Sequence, residues 1–224
     1  MLMQKVFLHT HPYEPFIDHN TEKLIVGTLP PPRFTTGDLK EGDVNFCHGS
    51  RDGQLWPILD RIFNLELKFE STHEAIEQRK SFLKQRHIGV CDIVASAERK
   101  TIDASDIGMQ NTKLRNVLDY LEKYPKVKTL LFTGGNSKNG PEYFFRKHLI
   151  EHDVLLENIS NTVPRIHQFI HPIKKNKIKT VSLIAPSGAA NRAVGSLESY
   201  KRMKRENTEF NTLDFRVLQY KEFF

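Results

Sequence analysis

The sequence predicts an α/β protein, a three-layer α/β/α sandwich built around a central, mostly parallel sheet. Short apolar segments of strand length alternate with segments whose apolar residues recur at helical spacing, which is typical of parallel sheets covered by helices on both faces. Two apolar segments, 24–26 and 181–184, run directly into loops rich in Pro, Gly and Ser, at 27–32 and 185–188. Because ligand sites in open α/β sheets form where strands end, we expect one site built from both ends of the chain.

Four strands are expected in the central sheet. Each is a run of mainly apolar residues bounded by polar, Gly or Pro residues. In chain order they lie near residues 24–28, 88–94, 128–133 and 180–185. The polar, Gly-containing stretch 33–53 predicts a long loop, a feature that is often functional in a compact domain.

Helices are expected to connect these strands. They lie at 55–62, 72–86, 114–121, 141–150 and near 190–206. The second follows a capping box formed by Ser71 and Glu74, the third takes Asn111 as its cap, and Pro141 can begin the fourth.

The composition predicts a single domain over residues 1–224, because the chain is long enough for one substantial core and no linker divides it. No apolar stretch approaches the roughly 18 residues that span a bilayer, and the N-terminus lacks the apolar region of a signal peptide. We therefore expect a cytoplasmic protein without membrane association. Two cysteines, Cys47 and Cys91, are too few for an iron–sulfur cluster or a four-Cys zinc site. They could form one disulfide, but reduced thiols are expected. The net charge of +6 permits a polyanionic partner.

Five short motifs follow one another between about residues 12 and 206. They are Leu24-Ile-Val-Gly-Thr-Leu-Pro-Pro31, His48-Gly-Ser-Arg-Asp-Gly-Gln-Leu-Trp-Pro-Ile-Leu59, Gly89-Val-Cys-Asp-Ile-Val-Ala-Ser-Ala-Glu-Arg99 with Ile102-Asp103, Leu130-Leu-Phe-Thr-Gly-Gly135, and Ile184-Ala-Pro-Ser-Gly-Ala-Ala-Asn191. In this order they resemble the uracil-DNA glycosylase superfamily, most closely its hypoxanthine-DNA glycosylase-like branch. The resemblance implies a uracil-DNA glycosylase-like fold.

The resemblance also implies a DNA glycosylase of base excision repair, a hydrolase that flips a deaminated nucleotide out of DNA and hydrolyses its N-glycosidic bond. No cofactor or metal is expected. The partner would be DNA containing a damaged or deaminated base, and the protein would act as a monomer. Hypoxanthine is slightly favoured over uracil, because Leu29 and Ala185 are apolar where uracil enzymes have polar catalysts. No motif places a lysine as a Schiff-base nucleophile, so base release without strand cleavage is expected.

Asp52 and Asn45 are the candidate catalytic residues. In the branch that the chain resembles, an Asn of the segment after the first motif is catalytic, and Asp52 is the nearest polar residue there. A carboxylate could orient the attacking water and stabilise the sugar cation. The alternative for Asp52 is a turn residue before Gly53. Asn45 borders the same pocket in this interpretation.

The residues expected to hold the base are Thr28, Leu29, Phe46, His48 and Asp92. Backbone N–H groups of the loop 27–32 could stabilise negative charge on the departing base. Phe46 would stack on the base, the alternative being a residue that covers the core. Asp92 would bind a base N–H, or would be a buried carboxylate satisfied by neighbouring backbone.

The residues expected to hold the DNA are Pro186, Ser187, Gly188, Asn191 and Arg192. Backbone N–H groups near Gly188 could bind a phosphate at a helix N-terminus, whereas Ser187 could simply cap that helix. The basic segments 174–179 and 201–205 would add salt-dependent affinity for DNA, or would be solvated surface.

Two other functions stay open. His9 and His11 follow an apolar run and resemble the His-x-His motif of barrel-type metal-dependent hydrolases, although no second pair of ligands stands out. The apolar Leu29 and Ala185 favour instead a non-catalytic, nucleic-acid-binding relative of the superfamily.

Overall fold

The computed structural model describes residues 6–224. Its strands are β1 Phe7–Thr10, β2 Lys23–Val26, β3 Ile88–Val90, β4 Val94–Arg99, β5 Gln110–Leu114, β6 Thr129–Phe132, β7 Glu157–Ser160, β8 Arg165–Ile170 and β9 Lys177–Ser182. Its helices are α1 Pro32–Thr36, α2 Leu55–Phe63, α3 His73–Gln85, α4 Val117–Lys123, α5 Pro141–Glu151, α6 Asn191–Ser196, α7 Glu198–Glu206 and α8 Thr212–Lys221. Residues 1–5, which belong to the N-terminal stretch considered above, lie outside the described residues.

The four predicted strands are adjacent members of a six-stranded sheet with the order β3-β2-β6-β9-β8-β7. β2 pairs in parallel with β3 and β6, and β6 pairs in parallel with β9. Two unpredicted strands, β8 and β7, extend the sheet with antiparallel pairing. The mostly parallel central sheet is therefore confirmed. Its strands β2, β6 and β9 all end along one edge, where a ligand site is expected.

Both faces of the central sheet are covered by helices, as predicted. Side chains alternate along a strand, so Leu24 and Val26 of β2 pack with residues of α4 and α5, whereas Ile25 packs with residues of α2, α3 and α8. All three side chains are fully buried, and each such burial contributes roughly 1.5–3 kcal/mol relative to exposure. The two apolar layers hold the strand ends in fixed positions.

A second sheet, antiparallel and with the order β1-β4-β5, was not predicted. The chain passes from β3 into β4 through residues 91–93, and the N–H of Ile93 donates to the carbonyl oxygen of Gly27 (2.9 Å). β1 pairs with β4 so that His9 lies opposite Ala97. The second sheet thus lies against the carboxyl end of β2 and brings two histidines of the N-terminal segment to that end.

The helix predicted over 114–121 begins later than expected, and Asn111 is not its cap. Asn116 caps α4 by accepting a hydrogen bond from the N–H of Asp119 (3.4 Å). Asn111 lies within β5, where its side-chain amide donates to Glu98 (2.7 Å). The reason is that β5 pairs with β4, and this pairing takes residues up to Leu114 away from the helix.

Other boundaries differ by smaller amounts. Helix α3 is capped by Thr72, one residue after the predicted Ser71. The helix predicted near 190–206 is divided into α6 and α7, because Leu197 has an extended backbone. The loop predicted over 33–53 begins with the short helix α1, while Pro141 begins α5 as predicted.

Cys47 and Cys91 are free thiols, as predicted, and both are buried. Within residues 6–224, no helix is both long enough and apolar enough to cross a membrane.

Candidate functional site

A cavity of about 970 Å³ opens at the carboxyl ends of β2, β6 and β9. Its walls come from the loops that follow these three strands and from the segments 48–55 and 104–107. The loops 27–32 and 185–188, which the sequence predicts to meet at one end of the sheet, both line this cavity. That prediction is confirmed.

The loop after β9 is fastened to the segment that carries Asp52. Gly53 and Ser187 form an isolated antiparallel bridge, and the N–H of Gln54 donates to the carbonyl oxygen of Pro186 (2.8 Å). Because both contacts involve backbone groups, they fix the distance between the two walls independently of side-chain rotamers.

Arg216 of α8 is hydrogen-bonded to the loop after β9. The sequence did not predict this contact. This side chain is completely buried. Its guanidinium donates to the carbonyl oxygens of Ala185 (3.0 Å) and Ser187 (3.0 Å) and to the side-chain oxygen of Asn191 (2.9 Å). The sequence does contain a signal for α8, the capping box formed by Asn211 and Asp214. It contains no signal that Arg216 faces this loop.

Asp92 forms the floor of the cavity and is only 4% exposed. Its Oδ1 accepts the backbone N–H of Gly27 (2.9 Å), and its Oδ2 lies 2.9 Å from His11 Nε2. His48 Nε2 lies 3.3 Å from Oδ1. Burial raises the pKa of Asp92, but the neighbouring His48 and the hydrogen bond from His11 outweigh burial and hold the pKa well below its usual range. Asp92 is therefore an ionised carboxylate whose oxygens are both engaged, one by a backbone N–H and the other by a histidine side chain.

The two histidines beside Asp92 have different positions. His11 Nδ1 accepts the N–H of Tyr13 (3.1 Å), so its Nε2 carries the proton and donates to Asp92. His48 has a left-handed backbone (φ 55°) and lines the cavity, with 15% of its side chain exposed. His48 therefore places an imidazole ring in the cavity wall, with its Nε2 beside a buried negative charge.

Gly27 is required for this arrangement. A Cβ atom at this position would lie 2.5 Å from Asp92 Oδ1 and 2.7 Å from His48 Cε1. Only glycine therefore lets the backbone N–H approach the carboxylate while the imidazole stays beside it.

Asp106 is a second carboxyl group in the cavity wall, and the sequence analysis did not single it out. It lies on a short 3-10 turn, Asp106–Gly108. The hydroxyl of Thr28 donates to its Oδ1 (2.9 Å). The side-chain amide of Asn139 donates to its backbone carbonyl (2.8 Å). Burial raises the pKa of Asp106 to about 6.

Asp52 lies at the rim of the cavity and faces solvent. Its side chain is 71% exposed, and its Oδ2 lies 3.2 Å from Arg33, which is bound more closely by Asp43 (2.7 and 2.8 Å). Its backbone N–H donates to Ser50 Oγ (3.2 Å), a local turn interaction. Asp52 thus has the geometry of a turn residue, which was the alternative to a catalytic role, and it also lines the cavity.

Several of the other predicted site residues share this cavity. Besides Asp52, Asp92 and His48, the predicted site residues that line the cavity are Thr28, Leu29, Pro186, Ser187 and Gly188. Ser187 does not cap the turn that follows it.

Phe46 and Asn45 do not line the cavity, which corrects two expectations. Phe46 is 6% exposed, and its ring packs against those of Phe16 and Trp56 in the core. It would have to leave the core to stack on a base. Asn45 is on the surface, where its Oδ1 accepts the hydroxyl proton of Tyr13 (2.7 Å).

Asn191 and Arg192 also lie outside the cavity walls. Asn191 Oδ1 accepts hydrogen bonds from Arg216 (2.9 Å) and Thr212 (3.0 Å), so this side chain anchors the start of α6. Arg192 is exposed on the same helix, next to the cavity rim formed by Ala190.

The two histidines of the His-x-His motif are both engaged by protein groups. His9 is fully buried, and its Nδ1 accepts a hydrogen bond from Arg99 (2.8 Å). Burial and the charge of Arg99 lower the pKa of His9 to about 4. A guanidinium at this distance would repel a metal cation. In the part of the chain that the structure describes, no group of three or more His, Cys, Asp or Glu side chains is arranged to hold a metal ion.

Comparisons with known proteins add one likeness of fold. No family model matches the chain, and no curated protein sequence matches it. A solution NMR structure of a protein from Methanosarcina acetivorans, described as a "putative Uracil DNA glycosylase", superposes with a TM-score of 0.53. The two chains are 16% identical over 94% of this chain and 99% of that one. At this identity the likeness shows a uracil-DNA glycosylase-like α/β fold, and it does not single out the hypoxanthine-like branch.

Proposed function

We propose that this protein is a DNA glycosylase, which takes a flipped nucleotide into the cavity and hydrolyses its N-glycosidic bond. The observation that carries the proposal is the imidazole of His48, which lines the cavity with its Nε2 3.3 Å from the buried carboxylate of Asp92. The cavity volume of about 970 Å³ is in the range of small-molecule sites. The fold, which is uracil-DNA glycosylase-like, supports the same function.

The chemistry requires stabilisation of negative charge on the departing base. A donor that is already oriented stabilises such charge best, because it needs no reorganisation during the reaction. His48 lies in the right place for such a donor, since it lines the cavity and its Nε2 is 3.3 Å from the buried carboxylate of Asp92. Leu29 and Pro30 form an apolar part of the cavity wall. A base that packs against it would be desolvated.

DNA would be held at the rim formed by Pro186, Ser187 and Gly188. Gly188 is exposed, so its backbone is accessible to a phosphate. Arg192 and the basic residues of α7 continue from this rim, and they would add sequence-independent affinity.

The preferred substrate would be a deaminated base, with hypoxanthine ahead of uracil. Leu29 and Ala185 both line the cavity, so neither position supplies the polar group found in uracil enzymes. The protein would release the base without cutting the strand. Lys138 also lines the cavity, and it is the amine to examine if the strand were cut.

A base-release assay tests the function directly. Duplexes containing uracil, hypoxanthine, xanthine or a mismatch are incubated with excess protein, then heated in alkali to cut abasic sites. We expect release from a deaminated base, with intact strands before alkali and no adduct after borohydride. A covalent adduct that disappears in Lys138→Ala would show lyase activity and contradict the monofunctional mechanism.

A non-catalytic, nucleic-acid-binding role is the second candidate. It is favoured by the apolar side chains of Leu29 and Ala185 at two positions where related enzymes carry catalytic groups. Tight binding to damaged duplexes, with no base released from any of them, would support this role over catalysis.

A further inference from the structure

We infer that Asp106 is the carboxylate that positions and deprotonates the attacking water, an assignment that rests on the proposed glycosylase function. Three acidic side chains line the cavity within the described residues: Asp52, Asp92 and Asp106. They differ in exposure and in the groups that already bind them.

Asp92 is unsuited to the role. Both of its oxygens are engaged, by the Gly27 N–H and by His11, and a carboxyl with a strongly lowered pKa is a weak base. Asp52 is unsuited for a different reason. Its side chain is 71% exposed and its Oδ2 lies 3.2 Å from Arg33, so it faces solvent and is already paired with a cation.

Asp106 has the geometry that the role requires. Its main chain is fixed by Asn139, and its Oδ1 accepts the hydroxyl of Thr28. Its Oδ2 accepts no hydrogen bond from any residue in the range 6–224, so one oxygen is available to a water molecule. Thr28 directly precedes Leu29, which is apolar where the uracil enzymes that the motifs resemble have a polar catalyst. The loop after β4 thus brings a carboxyl group to the place where the first motif lacks one.

The charges around Asp106 make it a suitable base near neutral pH. Burial raises its pKa to about 6, the Thr28 hydrogen bond and Arg99 lower it, and Asp92 raises it. Arg99 is itself 3.7 Å from Asp103, and Lys138 lines the same cavity. A base whose pKa lies just below the working pH is ionised and still accepts a proton effectively.

The step balances without any further reactant. A lone pair of the water oxygen forms the bond to C1′ of the sugar, and one water proton passes to Asp106 Oδ2. The electron pair of the N-glycosidic bond leaves with the base, whose nitrogen takes a proton from solvent. Asp106 then returns its proton to solvent, so the products are the free base and an abasic sugar.

The test compares Asp106→Asn, Asp52→Asn and Asp103→Asn in single-turnover base release from the best duplex substrate. Asp103 lies in the same loop, is exposed and does not line the cavity, so its variant is the matched control. We expect Asp106→Asn to lower the rate by roughly 100-fold or more, with duplex affinity changed less than about threefold. Asp103→Asn should stay near wild type, and Asp52→Asn should lose much less than Asp106→Asn.

The pH dependence gives a readout that a merely structural role would not alter. The wild-type rate should rise through about pH 6, the pKa of Asp106, and then level off, and this rise should be absent in Asp106→Asn. Thr28→Val removes the hydrogen bond that lowers the pKa, so its rise should move to higher pH. This variant provides a second test if Asp106→Asn folds poorly.

The outcomes separate this assignment from the proposed function. If the wild-type protein releases no base from any duplex, the glycosylase function fails and the assignment fails with it. If the wild type is active and Asp106→Asn is equally fast, only the assignment is wrong. A larger loss in Asp52→Asn than in Asp106→Asn, or a wild-type rate that falls as pH rises through 6, would also overturn it.

Discussion

At the scale of single residues, the cavity depends on the groups that bind Asp92. The Gly27 N–H and His11 stabilise a carboxylate that burial alone would disfavour, and the carboxylate in turn lies 3.3 Å from His48. A buried ionised group without such partners would cost several kcal/mol. The close approach of the Gly27 backbone and His11 is therefore needed for the stability of the fold. It also places a negative charge at the floor of the cavity, beside the imidazole of His48.

Gly27→Ala should damage both stability and activity. The new Cβ would overlap Asp92 Oδ1 and His48 Cε1, and overpacking of this kind costs about 1–3 kcal/mol. Denaturant unfolding measures the loss, with Gly195→Ala in α6 as the matched control because a Cβ there meets nothing within 4 Å. If Gly27→Ala unfolds like the control and keeps wild-type base release, the close packing around Asp92 is not required.

At the scale of secondary structure elements, α8 determines the position of the loop after β9. Arg216 binds the carbonyl oxygens of Ala185 and Ser187, and the hydroxyl of Tyr220 donates to the carbonyl oxygen of Ile184 (2.8 Å). Helix α8 thus adds hydrogen-bond donors to a loop whose own strand-like pairing is a single isolated bridge.

Arg216→Met should loosen this loop. Each carbonyl left without its donor costs about 1–3 kcal/mol if it stays buried, so the free energy of unfolding should fall by more than in Lys221→Met, an exposed site on the same helix. Hydrogen exchange gives a local measurement, because the Gln54 N–H donates to Pro186 in this loop. We expect faster exchange at Gln54 in Arg216→Met. Unchanged exchange there would mean that α8 does not hold the loop.

The sequence predicted the parallel strands because each is a short apolar run, buried on both faces of a sheet. It did not predict β5, because the residues Gln110–Leu114 are polar and mostly exposed, and only pairing with β4 makes them a strand. The same limit applies to the site. Asp92 could be predicted because it lies at the end of an apolar strand. In contrast, Asp106 and Thr28 are 78 positions apart in the sequence, and Arg216 and Ala185 are 31 positions apart. No local pattern encodes such contacts.

At the scale of the whole molecule, the two basic segments lie at different distances from the cavity. β9 begins at Lys177 and runs towards the cavity, and its six residues rise by roughly 20 Å. The segment 174–179 therefore lies towards the opposite edge of the sheet. In contrast, α6 begins immediately after Ala190 of the cavity wall, and α7 follows it.

This asymmetry predicts which positive charges bind DNA when a nucleotide occupies the cavity. Arg202→Gln with Arg205→Gln, which neutralises two charges of α7, should weaken binding to every duplex sequence. It should also reduce the slope of log affinity against log salt by about 1 for each phosphate that the variant no longer neutralises. The matched control is Lys175→Gln with Lys177→Gln, which removes the same charge from the far edge of the sheet and should change neither quantity. Fluorescence anisotropy with a labelled duplex at several salt concentrations measures both. The two double variants have the same net charge. An equal decrease in affinity in both would therefore mean that only the overall charge of +6 attracts DNA. The rim beside the cavity would then not be the binding surface.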